Sequence, residues 1–228
     1  TDNPDIPAGY TYLAQFAAHD LTFNLTLFDE AKGPPGTRRN ARHARLVLQT
    51  LYGLGPTVHP HLYNAPEIGQ KIRGTLRLGQ MRSRTSACPV QGDPWIDLPR
   101  VPVKAPGCPY NLDGNVQRSV LVRGQFETLT ADSRNDDNVL TAQITVLFSV
   151  LHNAIYNRLD EPSIREKLPP HLQDPRQQFR VARDVVTLTY RRIVFNDLLR
   201  RLLDPAVYNF FLTNGPIEAD LEAKRGVP

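Results

Sequence analysis

Two segments more than a hundred residues apart carry the side chains best suited to chemistry. In the first, Gly9-Tyr10-Thr11-Tyr12-Leu13-Ala14-Gln15-Phe16-Ala17-Ala18-His19-Asp20, a base (His19) follows a carboxamide (Gln15) by four residues. On a helix that spacing puts both side chains on one face. The second, Ala131-Asp132-Ser133-Arg134-Asn135-Asp136-Asp137-Asn138, offers a fixed cation, Arg134, at the mouth of a long apolar-periodic stretch. Helix dipoles favour acids at such a position, so an arginine there is unusual and well placed to meet an anion. A base and a guanidinium over one substrate can move a proton while stabilising developing negative charge. Heterolysis of a peroxide O–O bond requires that combination. Each residue also has a plain structural reading. His19 can be a satisfied core histidine, and Arg134 can be a surface arginine among Asp132, Asp136 and Asp137.

The elements that would position these groups follow from periodicity. Tyr10, Leu13, Phe16 and Ala17 predict a helix over residues 9–24. Residues 30–130 read as loops with two or three short strands or helical turns embedded. Turn signals recur at Gly33-Pro34-Pro35-Gly36, Gly53-Leu54-Gly55-Pro56, Ala105-Pro106-Gly107 and Leu112-Asp113-Gly114. Most of the 20 prolines fall in this middle region. Residues 138–204 read as the helical core. Leu140, Ile144, Leu147, Phe148, Leu151, Ile155 and Leu159 keep a helical period behind an N-cap at Asp137 or Asn138, and Pro162 lies beyond the end. A second long helix starts at Asp174-Pro175. It is expected to run through Phe179, Ala182, Val186, Thr189 and Ile193 toward Leu203, with Asp204-Pro205 ending it. Residues 214–228 are polar and unpatterned. The whole reads as one mainly α domain with long Pro/Gly-rich loops.

Composition narrows the class. A net charge of +4, with Arg38, Arg39, Arg42, Arg45, Arg82 and Arg84 scattered through loops as solvated surface, argues against nucleic acid. No unbroken run of about eighteen apolar residues predicts a membrane span. Cys88 and Cys108 do not fix a redox compartment, and their pairing stays open. His59 and His61 flank Pro60 without a neighbouring cysteine or glutamate, which is a weak metal pattern. His152-Asn153 reads as a buried histidine bonded to backbone. There is no G-x-S-x-G elbow and no phosphate-binding G-x-x-x-x-G-K-[ST] loop.

Four stretches, in order, resemble the animal-type haem peroxidases (the peroxidase–cyclooxygenase superfamily), especially the bacterial branch. Residues 9–23 look like that family's distal-histidine helix. Residues 131–153 resemble its distal-arginine loop and following helix, residues 42–56 its calcium-loop segment, and residues 189–199 the helix before its proximal region. The resemblance implies a haem-peroxidase-like helical fold, with residues 1–228 forming the distal-side portion of the domain. It implies His19 as the acid–base catalyst toward hydrogen peroxide, Arg134 as the stabiliser of charge and Gln15 as a hydrogen-bonding partner. The oxidised haem would then take electrons from a small organic donor or a halide. Departures from the family pattern imply haem b held mostly without covalent bonds. Ala18 stands at one ester-forming position, the short Asp137 stands at the other as a haem-contacting acid, and Asn138 replaces a methionine. Asp20 matches a calcium ligand, but the companion positions hold His43, Val47 and Gln49, so calcium is not expected and Asp20 is free to cap or salt-bridge locally. The family's iron ligand is a downstream histidine, and none follows His171. Either a second chain or further sequence carries it, or the protein has no such ligand. The resemblance favours a secreted or periplasmic setting. Two alternatives share the scaffold: a haem fatty-acid dioxygenase, and a haem-free binding module.

Overall fold

The computed structural model describes residues 6–23, 40–42, 45–66, 72–80, 96–102 and 126–214. Cys88, Cys108, His43, Arg38, Arg39, Arg82 and Arg84 lie outside the described residues, as do three of the four turn signals. The molecule is mainly helical, as the periodicity predicts. Three helices make its frame: α1 (Gly9–Leu21), α3 (Val139–Asp160) and α5 (Pro175–Ile193). Short helices α2 (Gln49–Tyr52), α4 (Pro162–Arg165), α6 (Leu199–Leu202) and α7 (Pro205–Asn214) complete it. Two small antiparallel ladders lie in the middle region. Strand β1 (Gly79–Gln80) pairs with β2 (Ile96–Asp97), and β3 (Arg100–Pro102) with β4 (Phe126–Thr128).

An aromatic triangle ties the frame together. Phe16 of α1 stacks on Phe148 of α3 at 5.6 Å between ring centres, and Tyr190 of α5 meets both rings edge-on at 5.8 and 5.6 Å. All three are buried, and such pairs add to plain area burial. α1 therefore packs across α3 and α5 near its own C-terminal half, where His19 and Asp20 sit.

The face that α3 buries is only partly the one its large apolar residues predict: Phe148 is buried, and Ile144, Leu151 and Ile155 pack against the core. Leu140 and Leu147 are 49 % and 64 % exposed, while Thr141, Thr145, Ser149 and His152 are buried. The hydroxyls explain this. Thr145 Oγ1 donates to the Thr141 carbonyl at 3.0 Å, and Ser149 Oγ to the Thr145 carbonyl at 2.9 Å. Satisfied within their own helix, they behave as small residues and let α1 and α5 approach closely. The cap at Asn138 is as predicted, with Oδ1 accepting from the Thr141 N–H at 2.8 Å. With 22 residues α3 is long and apolar enough, by length and composition alone, to cross a membrane, although no unbroken apolar run exists.

α5 begins at Asp174 as predicted, its side chain accepting from the Arg176 N–H at 3.0 Å. The buried positions are Phe179, Ala182, Val186, Tyr190, Val194 and Leu198, with Tyr190 in place of the expected Thr189. Steps of four residues outrun a 3.6-residue turn. A π-turn over Val194–Leu198 takes up the difference and keeps the stripe inward. Asp204-Pro205 ends this run but also starts α7, which the sequence reading did not anticipate. Asp204 Oδ1 accepts from the Ala206 N–H at 2.8 Å, the ordinary work of an N-cap.

Candidate functional site

α1 ends at Leu21, three residues short of the predicted limit, and the chain beyond it is held from outside. The turn Ser133–Asp136, a short 3-10 segment ahead of α3, lies directly against α1. Asp136 anchors it on one side. Arg100 of β3 meets that carboxylate with two N–H groups at 2.7 and 2.5 Å, and the Thr128 hydroxyl donates to it as well.

The structure brings the His19 and Arg134 segments together. His19 keeps 8 % of its surface exposed. Its Nδ1 lies 2.9 Å from Oδ1 of Asn135, a residue with no exposed surface. Its Nε2 has no partner among the described residues and is not among the sealed polar atoms. One turn earlier, Gln15 Oε1 accepts from Asn138 Nδ2 at 3.2 Å. The Gln15 amide nitrogen likewise has no partner among the described residues. The shared face of α1 therefore keeps two polar atoms without a partner among the described residues, an imidazole nitrogen and a carboxamide N–H. Both are steadied from behind by asparagines, Asn135 of the facing turn and Asn138 at the cap of α3.

Arg134 does structural work. Its Nε and Nη2 grip both oxygens of Asp132, at 2.9 and 2.7 Å. Nη2 also donates to the backbone carbonyls of His19 (3.0 Å) and Thr22 (2.7 Å), carbonyls left without partners at the end of α1. A cation on the C-terminal carbonyls of a helix is well placed for the dipole. Nη1 alone of the end nitrogens has no partner among the described residues. The side chain is 31 % exposed.

Asp132 is fully buried and also receives Arg42 Nη2 at 2.7 Å. Arg42 is 8 % exposed, which corrects the reading of it as solvated surface. The Phe23 ring carries both guanidiniums, at 5.2 Å for Arg134 and 5.1 Å for Arg42. Burial, the largest influence, pushes the Asp132 carboxyl up. The hydrogen bonds and charges of Arg134 and Arg42 outweigh it and hold the group below the usual carboxylate range.

Asp20 meets the segment that begins at Leu48 as an acceptor of N–H groups. Its oxygens take the backbone N–H of Leu48 (2.8 Å), Gln49 (2.7 Å) and Thr50 (3.4 Å), capping α2. Leu48 sits in the left-handed region at φ 56°, a conformation the carboxylate helps to hold. Burial pushes the Asp20 carboxyl up, against the lowering effect of those three donors. A hard cation wants several oxygens. Here positive N–H ends occupy the carboxylate instead, so this donor set does not fit calcium.

Asp137 is exposed at the start of α3. His152 is bonded on both ring nitrogens, Nε2 to the Gly74 carbonyl at 3.0 Å and Nδ1 to the Tyr52 hydroxyl at 3.1 Å. Burial, the largest influence, lowers its pKa to about 4. His59 and His61 flank the Pro60 turn with ring centres 5.5 Å apart. Among the described residues, no three His, Cys, Asp or Glu side chains are grouped to hold a metal.

Asn135 and Arg42 are the members of this site that sequence reasoning did not pick out. Asn135 stood in the quoted motif beside Arg134, and only packing shows that it faces His19. Comparison with family models, with curated proteins and with solved structures gives no match for this chain.

Proposed function

We propose that this chain forms the proton-handling side of a haem-dependent peroxidase acting on hydrogen peroxide and a small electron donor. The observation that carries this is the pair of polar atoms on α1 without partners among the described residues, His19 Nε2 and the Gln15 amide N–H, one turn apart and anchored from behind. One is able to accept an O–H proton, and the other is able to donate to an oxygen lone pair. A hydroperoxide offers both.

The residues fit the acid–base half of a haem site. Haem, when bound, supplies the iron that takes up the peroxide. His19 Nε2 takes the peroxide proton and returns it to the departing oxygen. Gln15 steadies the small oxygen species in hydrogen-bond reach. Arg134 turns Nη1 toward the negative charge that develops, while its other donors keep α1 and the turn in register. These residues would serve the proton-handling side of the haem and do not include an assigned iron ligand.

The haem-free module is supported by one observation: Arg134 and Asp20 are heavily committed to internal bonds. Haemin titration of the protein, with imidazole added as a stand-in for the missing ligand, separates the readings. Expected are a shifted haem absorption band and peroxide-dependent oxidation of a phenolic donor. His19→Ala should slow that oxidation by roughly 100-fold or more, the scale of a lost general base. Absence of haem uptake with and without imidazole favours the binding module. Oxygen uptake that depends on a fatty acid and not on peroxide points to the dioxygenase.

A further inference from the structure

We propose that Asn135 is the positioning residue of this site, fixing His19 in the form that carries its proton on Nδ1 and leaves Nε2 as the basic nitrogen. The inference rests on the acid–base reading above and adds to it the origin of the base. A neutral imidazole has one N–H and one lone pair, and which nitrogen holds which is set by its neighbours. The carboxamide oxygen of Asn135 points at Nδ1 at 2.9 Å. An oxygen there accepts only, so Nδ1 must donate and Nε2 must keep its lone pair.

A purely structural role explains Asn135 poorly. Its side chain caps neither the turn nor α3, since Asp132 accepts from the Arg134 N–H and Asn138 from the Thr141 N–H. Asn135 is wholly buried, yet its amide nitrogen has no partner. Native structures leave few buried donors unpaired, and those they do leave need a reason. Here the reason is His19: the carboxamide is kept for the one bond its oxygen makes. Chain geometry supports the same assignment. Asn135 directly follows Arg134, whose guanidinium is locked to the His19 backbone carbonyl at 3.0 Å. The amide and the imidazole thus approach along a fixed path rather than by two free side chains meeting.

Long-range proton–nitrogen NMR on the protein without haem reads this directly, with the His19 signals assigned by their loss in His19→Gln. The wild type should show an N–H-type shift at Nδ1 and a lone-pair-type shift at Nε2 above neutral pH. Asn135→Ala should lose that preference and give averaged shifts, and Asn135→Asp, which keeps an oxygen acceptor, should restore it. A wild-type spectrum with the proton on Nε2 overturns the proposal, as does an unchanged His19 pattern in a folded Asn135→Ala. If Asn135→Ala fails to fold, the wild-type and Asn135→Asp spectra decide alone. Because the readout needs no haem, failure of haemin to bind counts against the peroxidase reading and leaves this inference to be judged separately.

Discussion

His152 shows how one residue in this fold ties stability to pH. It is fully buried, with both ring nitrogens engaged and Tyr52, Tyr156 and Phe179 around it. Burial holds its pKa at about 4, below the 6.5 of a free histidine. The unfolded chain therefore binds more protons than the folded one between those values. The contribution is fully present above the unfolded value and is lost as the pH falls toward the folded one. About 2 kcal/mol should disappear between about pH 7 and about pH 5. Urea denaturation at both ends of that window measures it. In His152→Phe the protein should be weaker at neutral pH but flatter across the window. An equal slope in both proteins would show that another group titrates. This residue was legible in advance because a histidine among Leu151, Ile155 and Tyr156 has few ways to be satisfied. The role of Asn135 was not, because its partner lies 116 residues away and no local pattern announces it.

At the level of elements, the caps were readable and the faces were readable in part: Phe16, Phe148, Phe179, Ala182 and Val186 are buried as their spacing predicts. Asn138 and Asp174 fall where side-chain acceptors meet the first free N–H groups, a purely local chemistry. The polar part of the buried stripe of α3 escaped because Thr145 and Ser149 read as polar and hide their hydroxyls in their own helix. In α5 the inward position fell to Tyr190 and not Thr189, because the buried residues Ala182, Val186, Tyr190 and Val194 follow one another in steps of four. Asn138 does two jobs at once, capping α3 through Oδ1 and holding Gln15 through Nδ2. Asn138→Ala should therefore lose more than a cap. A loss of about 1 kcal/mol is expected from the cap alone. Asn138→Asp keeps the acceptor and should recover most of that stability, yet without restoring the N–H to Gln15. Equal stability of the alanine and wild-type proteins in urea denaturation would mean that the start of α3 is set by packing and not by this side chain.

The whole molecule hangs on a buried carboxylate that joins three segments distant in sequence. Asp132 holds Arg134 beside it and Arg42 ninety residues away, and Arg134 in turn closes the end of α1. Two cations on one anion, with Phe23 between them, leave little of the group to water. Arg42 is 8 % exposed and its Nε already lacks a partner. Removing the negative charge leaves that guanidinium buried without a counter-ion, which is far worse than losing a surface pair. Asp132→Asn should therefore cost about 3–5 kcal/mol, enough to threaten folding at ordinary temperatures. It should also loosen the His19 face, since α1 loses the clamp that Asp132 orients. The same carboxyl sits below its usual range in the folded protein, so its share of stability is present above the unfolded value and drains away as acid protonates it. Acid unfolding of the wild type should accordingly set in below about pH 4 and be shallower in Asp132→Asn. Thermal melts of both proteins across that range test this. A variant that melts within a degree or two of the wild type at neutral pH would show that Arg42 and Arg134 find water or other acceptors. The knot between the two site segments would then be held by aromatic packing and by the His19–Asn135 and Gln15–Asn138 bonds.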